Sequence, residues 1–177
     1  MPNTFSQIYI QIVFAVKGRG SLINYKWEEH LYRYITGIVQ NVGHKLLAIY
    51  CMRDHAHLFV GLRPDQSMSD LMREVKSKSS ELINIEKLTK KKFNWQEGYG
   101  AFSYSHSQVQ NVINYILNQP EHHKKKTFKD EYFEFLKKFE ISYDEKYLFD
   151  WIEMSSTPTE PQSNLMLPRF GSYGAVI

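Results

Sequence analysis

A chain of 177 residues, 42% of them hydrophobic, is long enough for one domain with a real core. Its single cysteine, Cys51, excludes a disulfide framework, and no apolar run approaches the ~20 residues that a membrane crossing needs. The formal net charge of +3 is unevenly spread: residues 1–140 hold 20 of the 22 Lys and Arg and 14 of the 19 Asp and Glu, a net of +6, and the last 37 residues are net −3.

In chain order, the N-terminus leads into a first strand over 5–16 with no signal peptide before it, and Ile8, Ile10 and Ile12 alternate there with Gln7, Tyr9 and Gln11. Leu31, Tyr34, Ile35 and Ile38 give the apolar stripe of a helix from Tyr25 to Val42, and Gly43 supplies its stop. Lys45 to Met52 is a second strand, with Cys51 as a core residue of a reduced cytosolic protein. Arg53-Asp54 turns the chain into a third strand, so the two form an antiparallel hairpin. A helix over Ser67–Ile85 follows, capped by Ser67 with Asp70 three residues on. Ala101 to Ser105 is a short fourth strand.

The third strand holds the most informative residues, Asp54-His55-Ala56-His57-Leu58-Phe59-Val60. Side chains alternate across a strand, so His55, His57 and Phe59 share one face while Ala56, Leu58, Val60 and Leu62 share the core face. Two neighbouring imidazoles make half of a divalent-metal site, although many exposed strands carry such a pair to no purpose. Sixty residues on, Ser107–Gln119 reads as a helix stopped by Pro120, with Val109, Val112, Ile113, Ile116 and Leu117 as its buried stripe. Tyr115 lies off that stripe, on a polar strip with Gln108, Asn111 and Gln119, and Tyr115 and Gln119 are neighbours at i, i+4.

Three other features bear on nucleic acid. Lys90-Lys91-Lys92 and Lys124-Lys125-Lys126 are basic runs, each close to a motif, and Arg73, Lys76 and Lys78 lie on the second long helix. Trp95, Tyr99 and Phe102 offer rings to unpaired bases, with core packing as the competing role for Trp95 and Phe102. A further helix, Phe128–Phe139, is rich in aromatics that read as packing groups, and the tail from Ser155 has linker composition.

Taken together, Asp54-His55-Ala56-His57-Leu58, Tyr115-Ile116-Leu117-Asn118-Gln119, Trp95 to Ser103 and Asn118 to Lys124 resemble the single-tyrosine HUH transposases of the smallest bacterial insertion sequences. Their relatives that act on repetitive extragenic palindromes are included in that resemblance. It spans roughly residues 5–150, and Ala56 stands where the motif often has a bulkier apolar residue. The resemblance implies a cytoplasmic, metal-dependent transposase that cleaves and rejoins single-stranded or hairpin DNA through a 5′-phosphotyrosine. On it, His55, His57 and Gln119 are ligands to Mg²⁺ or Mn²⁺, Tyr115 is the nucleophile, and the protein is a homodimer. Lys76, Lys91, Lys92, Tyr99, Lys124, Lys125 and Lys126 are the candidate DNA contacts. A phenol with a pKa near 10 does need help at the phosphate, and an ion with open positions supplies it.

The expected fold is α+β: a β-α-β-β-α-β, ferredoxin-like antiparallel sheet with both long helices on one face, and the histidine face left open for the metal, the added tyrosine-bearing helix and the DNA. The catalytic domain covers residues 1–150, and 151–177 form a flexible C-terminal extension. Two alternatives share the motifs: a replication-type HUH nickase, and a non-cleaving binder of hairpin DNA. A HIT-type nucleotide hydrolase is rejected, because its third histidine is replaced by Phe59.

Overall fold

The computed structural model describes residues 5–18 and 22–152. Four strands form one antiparallel sheet in the order β2-β3-β1-β4: β1 (Tyr9–Ala15), β2 (Lys45–Cys51), β3 (His55–Gly61) and β4 (Gly100–Tyr104). The long helices α1 (Tyr25–Asn41) and α2 (Met68–Ile85) join β1 to β2 and β3 to β4. This is the split β-α-β plan that the element order predicts.

Local chemistry sets the boundaries. The amides of Gly43 and His44 close back onto the carbonyls of Gln40 and Val39. That Schellman closure needs the left-handed φ of +91° that Gly43 adopts, so the helix ends where glycine permits it. Ser67 accepts the amide of Asp70 at the start of α2, as expected. In β2 the pairing with β3 slips by one residue between Leu46 and Ala48. The bulge turns Ala48 to the face of Phe59 while Leu46 stays with Val60.

Period-2 alternation then divides the sheet. Ile12, Phe14, Ile49, Cys51, Ala56, Leu58 and Val60 pack against Leu31, Ile35, Leu71 and Val75 of α1 and α2. Trp95 joins this core, its indole N–H donating to Ser79 Oγ at 2.8 Å. The opposite face bears His55, His57 and Phe59; the tyrosine helix lies on it as expected, and the aromatic-rich helix covers it as well, which was not expected. Helix α3 (Val109–Leu117) lays Val112 and Ile116 on Ala48 and Phe59. Helix α5 (Phe128–Lys138) sets Phe128, Tyr132, Phe135 and Leu136 against Val13, Ala15 and Phe102. His55 and His57 are fully buried as a result.

The tyrosine helix is also not continuous to Gln119. It ends at Leu117, Asn118 turns, and α4 (Gln119–His123) starts with Pro120 in its first turn. Proline opens that helix rather than closing the previous one, since its missing N–H costs nothing there. The segment after α5 returns over it, placing Phe149 and Trp151 beside Phe128. Gln96 pins this segment through both sides of its carboxamide, to the amide and carbonyl of Asp150. Of the expected C-terminal extension, residues 153–177 lie outside the described residues. Among the described residues no helix is long and apolar enough to cross a membrane.

Candidate metal and tyrosine site

Strand β3 delivers His55 and His57 side by side, their ring centroids 5.0 Å apart. The turn before it supplies Asp54, whose Oδ1 lies 2.8 Å from His55 Nδ1. That carboxylate accepts a hydrogen bond from Nδ1–H and so leaves the lone pair of His55 on Nε2, pointing into the site. Burial pushes Asp54 up, but the His55 imidazole beside it brings its pKa below the ordinary value. The ring of His55 is stacked on Phe128, with centroids 3.9 Å apart and planes 5° from parallel. His57 Nδ1 meets Gln11 Nε2 of β1 at 3.0 Å, and Tyr104 on β4 donates to the other end of that carboxamide.

Above the histidines stands Glu131 of α5, which is 1% exposed. Its Oε2 lies 3.2 Å from His123 Nε2, 3.3 Å from His57 Nε2 and 3.6 Å from His55 Nε2. Its Oε1 accepts hydrogen bonds from the Tyr115 hydroxyl and, at 2.9 Å, from Gln119 Nε2. Burial would raise the pKa of Glu131, yet His57, the hydrogen bond from His123 and the charge of His55 together hold it well below the usual carboxylate range. Tyr115 moves the other way: its pKa is raised above 10.0, first by burial and then by the Glu131 charge.

His55 Nε2, His57 Nε2 and Gln119 Oε1 are buried without a hydrogen-bond partner. One ligand atom from each of His55, His57, His123 and Glu131 lies within 4.8 Å of the others. His123 Nδ1 is 2.9 Å from the Lys126 carbonyl, and its Nε2 donates to Glu131 Oε2 at 3.2 Å. The Nε2 lone pair of His55, turned towards the Glu131 carboxylate in a dry pocket, is costly unless a cation lies between them. Protonation does not serve at His55, because burial lowers its pKa. The donor set therefore fits a divalent ion, which would take imidazole nitrogen together with carboxylate and amide oxygen.

The structure thus brings together all four residues named from sequence, His55, His57, Tyr115 and Gln119. It adds His123 and Glu131. His123 lies within a stretch already noted, but Glu131 sat among aromatics read as packing. One sign was available: Glu131 shares the buried stripe of Phe128, Tyr132 and Phe135, and a carboxylate there is almost never left unpaired.

The candidate DNA contacts fall into separate places. Lys76, Lys92 and Tyr99 border one hollow on the α2 side. Lys76 is turned inward, its ammonium donating to the carbonyls of Gln96 and Gly98, and burial lowers its pKa to about 8. Tyr99 is half-buried, its hydroxyl 3.2 Å from Ser69 Oγ. Lys91 is exposed in the loop that follows α2. Lys125 and Lys126 border a different hollow beside Tyr115, while Lys124 pairs with Glu121 at 2.6 Å. Trp95 and Phe102 are core residues.

The fold is shared with solved proteins. A solved protein of Deinococcus radiodurans R1 described as a transposase is 20% identical, with a TM-score of 0.54 over 67% of this chain and 95% of that one. A REP-associated tyrosine transposase bound to a REP hairpin is 16% identical, with a TM-score of 0.53 over 70% of this chain and 73% of that one. At these identities the likeness is one of fold. No curated protein matches the chain. The family model described as "Transposase IS200 like" matches residues 4–119, from before β1 to the first residue of α4, and so takes in both strand histidines, Tyr115 and Gln119. The chain belongs to the IS200-like transposase family.

Proposed function

We propose that this protein is a metal-dependent transposase that cuts and rejoins single-stranded DNA next to a hairpin, through a 5′-phosphotyrosine. One observation carries the reading: the hydroxyl of Tyr115 and the three imidazoles of the ligand cluster meet on one carboxylate, Glu131. A nucleophile and a cation site so close together suit phosphoryl transfer, in which positioning and charge neutralisation do most of the work. The REP hairpin held by a protein of the same fold supports the substrate class.

In this reading His55, His57 and Gln119 hold Mg²⁺ or Mn²⁺, with Glu131 and His123 in reach of the same ion. The imidazoles favour Mn²⁺. When bound, the ion draws charge from the phosphate oxygens and makes the phosphorus electrophilic. Asp54 and Gln11 fix the rings of His55 and His57. Glu131 Oε1 orients the Tyr115 hydroxyl. The phenolic oxygen forms a bond to phosphorus, the bond to the 3′ oxygen breaks, and that oxygen leaves as a 3′-hydroxyl with the proton the phenol gave up. Because the phosphodiester energy stays in the phosphotyrosine, the same residue can pass the strand to another 3′-hydroxyl without ATP.

The test is a covalent-adduct assay on single-stranded oligonucleotides from the DNA flanking the gene, with Mn²⁺ or Mg²⁺. The expected result is a denaturation-resistant protein–DNA species that requires the metal and disappears in Tyr115→Phe, whose DNA affinity stays within about threefold of the parent because one hydroxyl is removed. An adduct that survives Tyr115→Phe removes Tyr115 as nucleophile. Tight hairpin binding with no adduct under either metal assigns the protein as a non-cleaving binder, a reading favoured by the tie between Tyr115 and Glu131. A homodimer is part of the proposal, although tyrosine and histidines meet within one chain. A solution size of one chain, 21.0 kDa, would remove it.

A further inference from the structure

Beside the Tyr115 hydroxyl a cleft of about 300 Å³ opens between α3 and α5, with Tyr104, Asn111, Phe135 and Lys138 in its walls and Gln11 and Glu131 at its base. A second hollow, of about 580 Å³, lies on the other side of the tyrosine and includes Asn114, Asn118, Lys125 and Lys126. Asn111, Tyr115 and His122 border both. A strand presenting a phosphodiester to Tyr115 therefore has one neighbour in the cleft and the other in the hollow.

The two spaces differ in chemistry. The cleft has the buried carboxylate of Glu131 at its base, Glu134 (paired with Lys126) at its side, and aromatic rings beside them. Such walls repel a phosphate and accept a neutral, flat group that carries N–H donors. The hollow is lined by Lys125 and Lys126 together with Glu121; Lys126 is paired with Glu134, which leaves Lys125 as the lysine that suits the phosphate backbone. In size the cleft sits at the low end of ligand sites, about 300–1,000 Å³, with room for one ring system and none for a duplex. Asn111 is exposed on α3, at the lip of both spaces, and its side chain has no hydrogen-bond partner among the described residues. A carboxamide with both its donor and acceptor open is the group that reads a base edge. Lys138 holds its ammonium 5.7 Å from the Tyr104 ring centre, at the cleft wall.

Resting on the transposase reading, we propose that this cleft seats one unpaired nucleobase, that of the nucleotide beside the scissile phosphate. Asn111 reads its edge, the ring of Tyr104 lies along it, and the backbone passes to Lys125. The cleft gives the protein its own base preference at the cleavage position, in addition to whatever the hairpin supplies.

The experiment measures affinity by fluorescence anisotropy, in the full chain, for one hairpin with five different six-nucleotide tails: dA, dC, dG, dT, or abasic. At least one base-bearing tail should bind about tenfold more tightly than the abasic tail, the amount one stacked base contributes. In Asn111→Ala, a change at an exposed helix position that alanine suits, the four bases should converge to within about threefold while the abasic affinity stays put. Equal binding of all five tails overturns the proposal, as does a base preference that survives Asn111→Ala, or binding to none of them. Base-dependent binding without any Tyr115-dependent adduct leaves the cleft assigned and removes the transposase reading. A Tyr115-dependent adduct with base-indifferent binding does the reverse.

Discussion

Glu131 is the residue on which the site turns, because its two oxygens divide the work: Oε2 faces the imidazoles and Oε1 holds Tyr115 and Gln119. Gln11 matters one step further out. Its carboxamide bridges His57 Nδ1 and the Tyr104 hydroxyl, and so sets which nitrogen of His57 faces the site. Gln11→Leu should leave the fold intact and lower Mn²⁺ affinity by about 10- to 100-fold, the usual cost of removing the partner that orients a ligand. Calorimetric titration is the check, and an unchanged affinity would remove His57 from the ligand set. The chemistry at this scale was half legible in the sequence. His55 and His57 are paired by their spacing on one strand, while Tyr115 and Gln119, which lie on the separate helices α3 and α4, are named through the family resemblance. Glu131 belongs to the site only because α5 folds over β3, a contact between distant elements that no local spacing encodes.

Elements explain why the site is dry. Helices α1 and α2 occupy one face of the sheet, as their apolar stripes and caps allow one to foresee, and the hairpin of β2 and β3 follows from its turn and alternation. The aromatic stripe of α5 was visible too, but a stripe states that a helix is buried and not which layer it covers. It covers the histidine face, together with α3. Its own start is fixed by Thr127, which accepts the amide of Asp130. Thr127→Ala should cost about 1 kcal/mol of stability, and because α5 carries Glu131 it should also weaken Mn²⁺ binding. Thermal melts with and without metal test both parts; a loss of stability with unaltered metal affinity would take Glu131 out of the ion's reach. An ion held by β3, α4 and α5 ties together three elements whose polar side chains already meet at Glu131. Mn²⁺ at 100 times its Kd should therefore add about 2.7 kcal/mol of stability, an increment that EDTA reverses. A melting temperature indifferent to both would argue against a site within the fold.

For the whole molecule, the buried polar cluster sets the response to acid. Asp54 and Glu131 titrate below their ordinary 3.8 and 4.5, and His55 and His122 below 6.5. Each of these groups binds protons more readily in the unfolded chain than in the folded one, so each contributes stability at higher pH that is lost on acidification. The histidine share falls away as the pH drops below 6.5, towards their folded values. The carboxylate share follows below about 4.5, as the unfolded carboxyls take up protons. His123 opposes them: its raised pKa contributes stability that is whole below 6.5 and lost as the pH climbs through its folded value. The four groups outweigh the one, so the metal-free protein should lose melting temperature in two stages between pH 7 and pH 3. Saturating Mn²⁺ should steepen the first stage, because imidazole ligands must shed their protons to bind. Melts at half-unit pH steps decide the matter. A melting temperature that rises from pH 7 to pH 5.5 would mean that the histidines are stabilised as cations around Glu131, and that the cluster is an ion-pair network rather than a place for a metal.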